Sequence, residues 1–388
     1  MKRKRYDFLL KTEEIILKGK KRPYFERILI NNLKKKFKDD LVFIKNIGGA
    51  FWIRANDKLD FKKILGVKNF SPVLVLNTFE DVLKEIEKSI SEKLKASLVS
   101  KRGFKIEVKR GSKDYPLTSL EIKQKISDFI KQKFNLEIEN ESTQINIYLY
   151  YQNKKFFLYE EKIECFGGLP VGSSGKGLVL LSAGFDSPVA SFLSMKRGLK
   201  VYFLHFHSYP QTSKESLEKV EKLAEILKDY NLDSELYLIN ILELQKFYYQ
   251  NVPHKFLVIF YRRSMMRLAE KLAKKLKVDC LITGESLVQV ASQTIQNMKV
   301  INYGIKTFVM RPLLGFNKSE IIELAKRIGT YEISLLKGDD CCSLFIPKHP
   351  VTKANLGEIL KIEEKLKNKI ENLEEKTLKE CLIIEKNI

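Results

Sequence analysis

The sequence of 388 residues predicts a multidomain chain in which two α+β units precede an α/β unit with a doubly wound parallel sheet. Three observations predict this class. Strand-like runs and amphipathic helices share the first part of the chain, residues 167–177 hold five glycines, two serines and a proline, and strands alternate with helices after them. Such alternation is typical of a parallel sheet that is covered on both faces.

Residues 1–76 predict the first unit. A basic segment at 22–37 has the composition of a helix, and short apolar runs on either side of it have the composition of strands. The predicted strands are 6–10, 41–44, 50–53 and 73–76.

Residues 77–167 predict the second unit, and the glycine-rich segment 168–176 predicts a linker. Val82, Ile86, Ile90 and Leu94 recur at helical spacing, which indicates an amphipathic helix over 79–98. A second helix, 120–134, begins near Thr118 or Ser119, because these side chains cap helices well. The predicted strands are 104–108 and 145–151.

Residues 177–388 predict the third unit. The strands are expected at 177–181, 201–206, 236–239 and 278–283, and the helices after Pro188, near 213–228, at 256–276 and from Asn355 onward. Ligands of such sheets bind beyond the carboxyl ends of the strands. His205, Phe206 and Gly284 stand at these ends.

The composition indicates a polyanionic partner. Lys and Arg number 70 against 48 Asp and Glu, which gives a net charge of +22 and a pI near 9.5. Residues 1–180 hold 38 basic and 23 acidic residues, so most of the excess lies there. Five cysteines without paired spacing, no leader and no apolar run of about 18 residues predict a cytoplasmic protein without membrane contact.

The segment 177–190, GLVLLSAGFDSPVA, is typical of a phosphate-binding turn between a buried strand and a helix. Gly184 permits a tight turn and the close approach of a ligand. Ser182 and Ser187 offer hydroxyls to phosphate oxygens, and Asp186 can hold the Mg²⁺ that a polyphosphate carries. A Walker A loop is excluded, because Ser173 stands where its lysine should be. An ordinary strand-turn-helix with a serine cap remains the alternative.

This turn resembles the SGGxDS loop of the ATP pyrophosphatases, with Ala183 in place of the second glycine. Together with four further segments, it is similar to the tRNA 4-thiouridine synthetases, also called tRNA uracil 4-sulfurtransferases, in the short form without a rhodanese domain. The segments that carry this wider resemblance are 16–26, 104–122, 167–176, 284–294 and 339–353.

The resemblance implies an N-terminal ferredoxin-like domain, a THUMP RNA-binding domain and an ATP pyrophosphatase domain with its PP-loop. It implies that the enzyme adenylates a uridine of tRNA, at position eight, at O4 and then replaces that oxygen with sulfur. ATP and Mg²⁺ are the implied cofactors, and a cysteine desulfurase is the implied sulfur donor. A homodimer is also implied. Without rhodanese, the sulfur source and a role in thiamine synthesis stay open, and some such relatives use an iron-sulfur centre.

The resemblance also assigns residues to the nucleotide. These are Leu180, Leu181, Ser182, Gly184, Ser187, His205, Phe206, Arg262, Gly284 and Gln293. Asp186 and Lys318 are implied in catalysis. The residues alone leave simpler interpretations open, namely a solvated lysine at a helix start, a core-edge histidine at 205 and a surface charge at 262.

Cys342 matches the sulfur-transfer cysteine of the family, and Cys341 is the second candidate. A reactive thiolate needs positive neighbours, whereas Asp339 and Asp340 precede this pair. Lys337 and Lys348 could compensate in the fold. The remaining cysteines, Cys165, Cys280 and Cys381, are expected to be packing residues.

Two basic segments are the candidates for RNA binding, and a merely solvated basic face is the alternative. The first holds Lys18, Lys20, Lys21 and Arg22. The second holds Lys101, Arg102, Lys105, Lys109 and Arg110.

Two other functions share part of this evidence. One is a different adenylating synthetase or amidotransferase on the same nucleotide fold, which leaves the basic N-terminal half unexplained. The other is a non-catalytic RNA-binding protein such as a tRNA chaperone. The complete set of Ser182, Gly184, Asp186 and Ser187 argues against the second alternative.

Overall fold

The computed structural model describes residues 5–96, 103–138, 145–232, 234–337, 345 and 350–384. The chain divides into two compact units, Met1–Pro170 and Val171–Ile388. Within the described ranges, no helix combines the length and the apolar character needed to cross a membrane.

The first unit contains nine strands and three α-helices among its described residues. In chain order they are β1 (Tyr6–Lys11), α1 (Arg22–Phe37), β2 (Leu41–Asn46), β3 (Ala50–Ala55), β4 (Asn69–Pro72), β5 (Leu74–Leu76), α2 (Phe79–Lys95), β6 (Phe104–Arg110), α3 (Ser119–Phe134), β7 (Ile145–Gln152), β8 (Lys155–Tyr159) and β9 (Ile163–Glu164).

The first sheet has the strand order β2-β3-β1-β4-β9, and its described pairs are antiparallel. Helix α1 buries Phe25, Leu29 and Leu33, which are four residues apart and therefore share one face. The sequence missed β4, and it also missed β9, which returns the chain from the second sheet to the first. A strand of two residues is too short to show a period.

The second sheet has the order β5-β8-β7-β6, in which β6 and β7 run parallel. Helix α3 connects these two strands. It starts where the sequence predicted, because Thr118 and Glu121 form a reciprocal capping box. Helices α2 and α3 bury their apolar stripes against Phe104 and Ile106 of β6, so one face of the sheet is core.

The second unit has a single described sheet of six strands. In chain order its elements are β10 (Lys176–Leu180), α4 (Asp186–Lys196), β11 (Lys200–His207), α5 (Lys214–Asn231), β12 (Leu236–Asn240), α6 (Leu242–Asn251), α7 (Leu257–Leu276), β13 (Cys280–Ile282), α8 (Ile295–Asn302), β14 (Phe308–Met310), α9 (Lys318–Ile328), α10 (Tyr331–Leu335), α11 (Leu356–Lys379) and β15 (Leu382–Ile384).

The strand order is β14-β13-β10-β11-β12-β15, with all neighbours parallel except the antiparallel edge strand β15. The chain builds outward from β10 through β11 and β12, then continues on the other side of β10 with β13 and β14. The switch point therefore lies between β10 and β13, where sheets of this kind open a crevice for ligands.

Two groups of helices pack in this unit. One contains α4, α5, α9 and α10, and the other contains α6, α7, α8 and α11. The sequence predicted α5, α7 and α11 closely, but it missed α6, α8, α10 and both edge strands, β14 and β15. Helix α4 begins at Asp186, two residues before Pro188, because proline is tolerated throughout the first turn of a helix.

Candidate active site

The loop after β10 lies at the middle of the sheet edge. Strand β10 pairs with β11 on one side and with β13 on the other, and Leu178 and Val179 are fully buried. Because its neighbours hold both edges of the strand, the loop at 181–185 leaves from a well-supported position and leads directly into α4.

Two serines close this loop on itself. The backbone N–H of Ser182 donates to Oγ of Ser187 at 2.8 Å, and that hydroxyl lies 3.2 Å from the carbonyl oxygen of Ser182. The two hydroxyl oxygens are 3.0 Å apart. Both hydroxyls therefore help to set the width of the loop, a role that the sequence pattern did not reveal.

The steric requirement for glycine falls on Gly284 rather than on Gly184. A Cβ atom at Gly284 would lie 2.6 Å from the backbone nitrogen of Ser187, so the loop after β13 can approach the start of α4 only with glycine there. A Cβ atom at Gly184 would come no closer than 3.8 Å, to Oγ of Ser182. Gly184 lines the cavity, so a ligand can still approach it closely.

Asp186, Lys318 and Gln289 meet at the first turn of α4. Lys318 donates from Nζ to Oδ1 of Asp186 at 2.8 Å, and Gln289 donates from Nε2 to Oδ2 at 3.2 Å. Lys318 is the first residue of α9, whose start is held by a capping box between Asn317 and Glu320. The structure thus brings together the two residues predicted for catalysis among the described ranges, and it adds Gln289.

The chemistry of Asp186 fits Mg²⁺. This cation prefers carboxylate oxygens and is often held by one or two carboxylates together with substrate phosphates. Asp186 supplies such a carboxylate beside the serine loop, and its side chain is partly accessible. The described residues hold no cluster of three or more His, Cys, Asp or Glu side chains, so a cation here would depend on ligand oxygens as well.

A cavity of about 330 Å³ opens beside the loop. Every residue predicted for nucleotide binding lines it, as does Asp186. Leu204, Val258, Met265 and Met266 supply apolar walls, and polar side chains also line the cavity. A largely apolar slot with a few converging polar groups is typical of a site for a planar base joined to a polar tail.

His205 is buried at the carboxyl end of β11, and Nδ1 of its ring lies 2.8 Å from the carbonyl oxygen of Leu181. Since that oxygen only accepts, Nδ1 carries the proton. The ring stacks on His207 at a centroid distance of 6.5 Å. Burial and the neighbouring His205 lower the pKa of His207 to about 4, so His207 is neutral at physiological pH.

A buried carboxylate organises one wall of the cavity. Glu285 accepts hydrogen bonds from Arg262, from Arg311 at 2.6 Å and from the hydroxyl of Thr283 at 2.8 Å. Burial alone would raise the pKa of Glu285, but the charges of Arg262 and Arg311 outweigh it and hold this pKa below its ordinary value. Arg262 also donates from Nη1 to Ser292 at 3.0 Å.

Sequence reasoning assigned no role to Glu285, Gln289 or Arg311. Glu285 and Gln289 lie in the segment 284–294, which carries part of the family resemblance. One signal for Glu285 was available in the sequence: it is a charged residue only three positions beyond the buried strand β13. Arg311 gave no signal in the sequence, because its partner Glu285 follows a different strand.

Cys341 and Cys342 lie outside the described residues, as do Lys101 and Arg102. The other cysteines, at positions 165, 280 and 381, are unpaired thiols, and burial raises the pKa of each of them. The pKa reaches about 12 at Cys165 and about 11 at Cys280. A thiol held in its neutral form is a poor nucleophile, which agrees with a packing role.

The first basic segment forms a 3₁₀ turn, Ile16–Lys21, before α1. Lys20 and Lys21 are exposed. The ammonium group of Lys18 lies 5.3 Å from the ring centre of Phe25, and Arg22 donates to Glu26 at 2.6 Å. Exposed cations on a turn are available to a polyanion.

The described residues of the second basic segment lie on β6. Lys105 and Lys109 alternate with the buried Phe104 and Ile106, so they belong to the face of the sheet opposite to its core. Arg110 instead donates to the carbonyl oxygens of two residues in the following loop, at 115 and 117. Its guanidinium is therefore already engaged in holding that loop.

Three family models match the chain. The model described as "Thiamine biosynthesis protein (ThiI)" matches residues 172–368, the "ThiI ferredoxin-like domain" matches 7–71, and the "THUMP domain" matches 77–160.

Curated relatives match nearly end to end. A "Probable tRNA sulfurtransferase" of Halothermothrix orenii is 38% identical over 390 residues, which cover 97% of this chain and 98% of the relative. The protein of the same name from Finegoldia magna is 40% identical, with coverage of 91% and 92%.

Solved structures agree with this. A 4-thiouridine synthetase, solved as an RNA complex with bound ATP, matches with a TM-score of 0.87 and 34% identity, covering 98% of this chain and 100% of that one. A protein from Pyrococcus horikoshii matches at a TM-score of 0.66 and 22% identity, with coverage of 84% and 99%, which shows a shared fold.

The parallel sheet, with its serine-rich loop and nearby aspartate at the switch point, defines the PP-loop class of nucleotide-binding domain. The chain belongs to the ThiI family of tRNA sulfurtransferases.

Proposed function

We propose that the protein uses ATP to convert uridine, at position eight of tRNA, to 4-thiouridine. The observation that carries this proposal is the convergence of Lys318 and Gln289 on Asp186 beside the serine loop, where Asp186 and Gln289 line the cavity. ATP and tRNA are its substrates, as the names and titles of the relatives suggest.

The first step activates a poor leaving group. O4 of the uracil attacks the α-phosphorus of ATP, a bond from O4 to phosphorus forms, and the bond to the oxygen of the leaving pyrophosphate breaks. A sulfur nucleophile then attacks C4 and AMP departs with the former O4. Both steps move negative charge toward phosphate oxygens, so positive groups placed beforehand at the loop stabilise their transition states.

Lys318 and the first turn of α4 supply this stabilisation. The free backbone N–H groups at the start of a helix attract anions, and α4 begins at the loop itself. Lys318 adds a full positive charge beside Asp186. When nucleotide enters, we expect Lys318 to move its hydrogen bonds from Asp186 toward the phosphates.

Asp186 would hold Mg²⁺ together with those phosphates. Bound there, the cation would offset charge on the pyrophosphate as it departs. Transfer of the lysine to the phosphates would leave Oδ1 of Asp186 available to the cation, which is the role predicted for this carboxylate from the sequence.

We assign the sulfur-transfer step to Cys342, with Cys341 as the second candidate, and a cysteine desulfurase as the donor. The described residues on both sides of this pair are anchored close to the site. Oγ of Ser334 lies 3.4 Å from the carbonyl oxygen of Gly184, and the carbonyl of Thr352 accepts from Thr294, which directly follows the cavity-lining Gln293.

For tRNA binding we propose the two basic segments of the first unit. Lys20 and Lys21 on the turn before α1, and Lys105 and Lys109 on the face of β6 opposite to the helices, would contact phosphates. The remaining candidates are Lys18, Arg22, Lys101, Arg102 and Arg110.

We also propose domain limits of 1–76, 77–167 and 177–388 around a linker at 168–176, a cytoplasmic location and a homodimer. The family matches at 7–71, 77–160 and 172–368 support these domains.

The test is to incubate the protein with ATP, Mg²⁺, unmodified tRNA and a sulfide or desulfurase source, and to record the near-ultraviolet absorbance of 4-thiouridine. Asp186→Ala should abolish the signal. Glu215→Ala, which removes an exposed carboxylate from the first turn of α5, should leave it unchanged. A flat spectrum with the unmodified protein would overturn the proposal, and pyrophosphate release indifferent to tRNA would favour a different synthetase.

A further inference from the structure

Glu285 is a buried carboxylate to which the proposed function assigns no role. Its side chain is 5% exposed, yet it lines the wall of the cavity that we assign to ATP. A buried carboxylate beside a site for an anion is unfavourable unless its charge is compensated. Its function must therefore be sought in the groups that it holds.

Both oxygens of Glu285 are occupied. Oε1 accepts from Nη2 of Arg262, and Oε2 accepts from Nε of Arg311 at 2.6 Å and from the hydroxyl of Thr283 at 2.8 Å. The partners come from helix α7, from the end of β14 and from the end of β13. One carboxylate thus connects three elements at the edge of the cavity.

The cluster of Arg262, Arg311 and Glu285 carries a net positive charge beside the cavity. Two guanidinium groups against one carboxylate sum to +1. Arg262 lines the cavity, and its Nη1 is also held, by Ser292 at 3.0 Å. A guanidinium fixed from both ends loses little freedom when it binds an anion, because its orientation is set in advance.

We propose that Glu285 is a positioning residue for the nucleotide, which holds Arg262 in the orientation that binds the phosphates of ATP. The proposal rests on the proposed function, because it takes the anion in the cavity to be ATP. Arg311 and Thr283 hold Glu285 in turn, and they complete the support behind Arg262.

The neighbouring residue on α7 offers a matched control. Arg263 and Arg267 of α7 both donate to Glu363 of α11. Like Glu285, Glu363 is therefore a carboxylate that accepts hydrogen bonds from two arginines. Glu363 does not line the cavity. Glu363→Gln therefore removes a comparable ion pair while leaving the nucleotide site in place.

The experiment measures the binding of Mg-ATP and of adenosine by calorimetry, on the full chain. We expect Glu285→Gln to weaken Mg-ATP binding about tenfold or more, because a hydrogen bond to a charged group is lost. Adenosine, which lacks phosphates, should bind as before. Glu363→Gln should leave both affinities unchanged.

A milder variant guards against a failure to fold. Thr283→Val keeps all charges and removes only the hydroxyl that holds Glu285, so we expect a loss of about threefold for Mg-ATP and none for adenosine. Glu285→Gln and Arg262→Lys are also combined in a double variant. This double variant should bind Mg-ATP as tightly as whichever of the two single variants binds it less tightly, since the two residues act as one unit.

Equal losses for Mg-ATP and adenosine, unchanged Mg-ATP affinity in both Glu285→Gln and Thr283→Val, or additive losses in the double variant would overturn the proposal. Thiolation is not part of this readout. A protein that binds ATP with these preferences but does not thiolate tRNA would refute the proposed function and leave the role of Glu285 standing.

Discussion

Lys318 reaches Asp186 from 132 positions further along the chain. Its ammonium group is partly exposed and lies 5.1 Å from the ring centre of Phe185, directly before the first turn of α4. Lys318, predicted for catalysis with a solvated lysine at a helix start as the alternative, is therefore engaged with Asp186. Only the docking of α9 against α4 brings the two together.

The exchange of Lys318 for methionine tests this role. We expect Lys318→Met to lower kcat for thiolation about 100-fold or more. The variant lacks the positive group that would stabilise the negative charge developing on the phosphate oxygens in the transition state. The control is Lys326→Met on the same helix, whose ammonium group lies over the ring of Tyr331. Similar losses in the two variants would indicate damage to α9 rather than a catalytic role.

Lys11 at the end of β1 allows a prediction about pH. Burial lowers its pKa to about 8, and repulsion by Lys109 and Lys162 adds to this, although its Nζ still donates to the hydroxyl of Tyr159 at 2.8 Å. An unfolded chain keeps this proton up to its ordinary value of 10.5. Between pH 8 and 10.5 the unfolded state therefore binds more protons, and stability rises with pH.

The measurement compares the free energy of unfolding of the unmodified protein with that of Lys11→Met. From pH 7.5 to pH 9.5 the unmodified protein should gain on the order of 1–2 kcal/mol relative to the variant. Lys45→Met, an exposed substitution on β2, should show no such trend. A constant difference across this range would contradict the prediction.

At the scale of elements, buried ion pairs attach α11 to α7. Glu374 is 1% exposed and accepts from Arg267 at 2.8 Å and from Lys271 at 3.3 Å. On the same helix, Lys376 forms an exposed pair with Glu243 at 2.9 Å. Removing Glu374 takes one of two carboxylate partners from Arg267 and leaves Glu363 as the other, whereas both members of the pair between Lys376 and Glu243 are already in contact with water.

We therefore expect Glu374→Gln to lower the free energy of unfolding of the second unit by about 2 kcal/mol, because hydrogen bonds to charged groups are lost. Lys376→Met should leave it unchanged within error. Urea denaturation followed by circular dichroism gives both values. Equal effects for the two variants would show that burial does not control these pairs.

At the scale of the whole molecule, the net charge of +22 predicts tRNA binding that weakens steeply with salt. Lys109 lies on the face of β6 opposite to the helices, its side chain is 65% exposed, and it pairs with Glu107 at 3.1 Å. Lys133 lies on α3, which covers the opposite face of the same sheet, and it pairs with Glu87 at 2.7 Å.

Lys109→Met should weaken tRNA binding and reduce the slope of log K against log salt by about one. Lys133→Met should change neither. Filter binding at several salt concentrations measures both quantities. An unchanged slope for Lys109→Met would remove this face of the sheet from the proposed RNA contacts.

Local patterns predicted several elements closely. Helix α1 has the predicted limits, 22–37, and α3 starts at its predicted cap, because helical spacing and capping residues act over a few positions. The turn at 182–187 was identified for the same reason. Elements such as β9 and β14 were missed, since two or three residues carry too little periodicity to separate them from a loop.

The amino-acid sequence by itself determined the family, the three-part organisation and the serine-rich loop, because each can be recognised from short segments of neighbouring residues. Tertiary structure decided which distant groups meet. Gln289 joins Asp186 across 103 positions, Gly284 admits the start of α4, and Glu285 connects Arg262 with Arg311. These contacts arise where parallel strands end side by side, and the order of the strands is set by packing of the whole sheet.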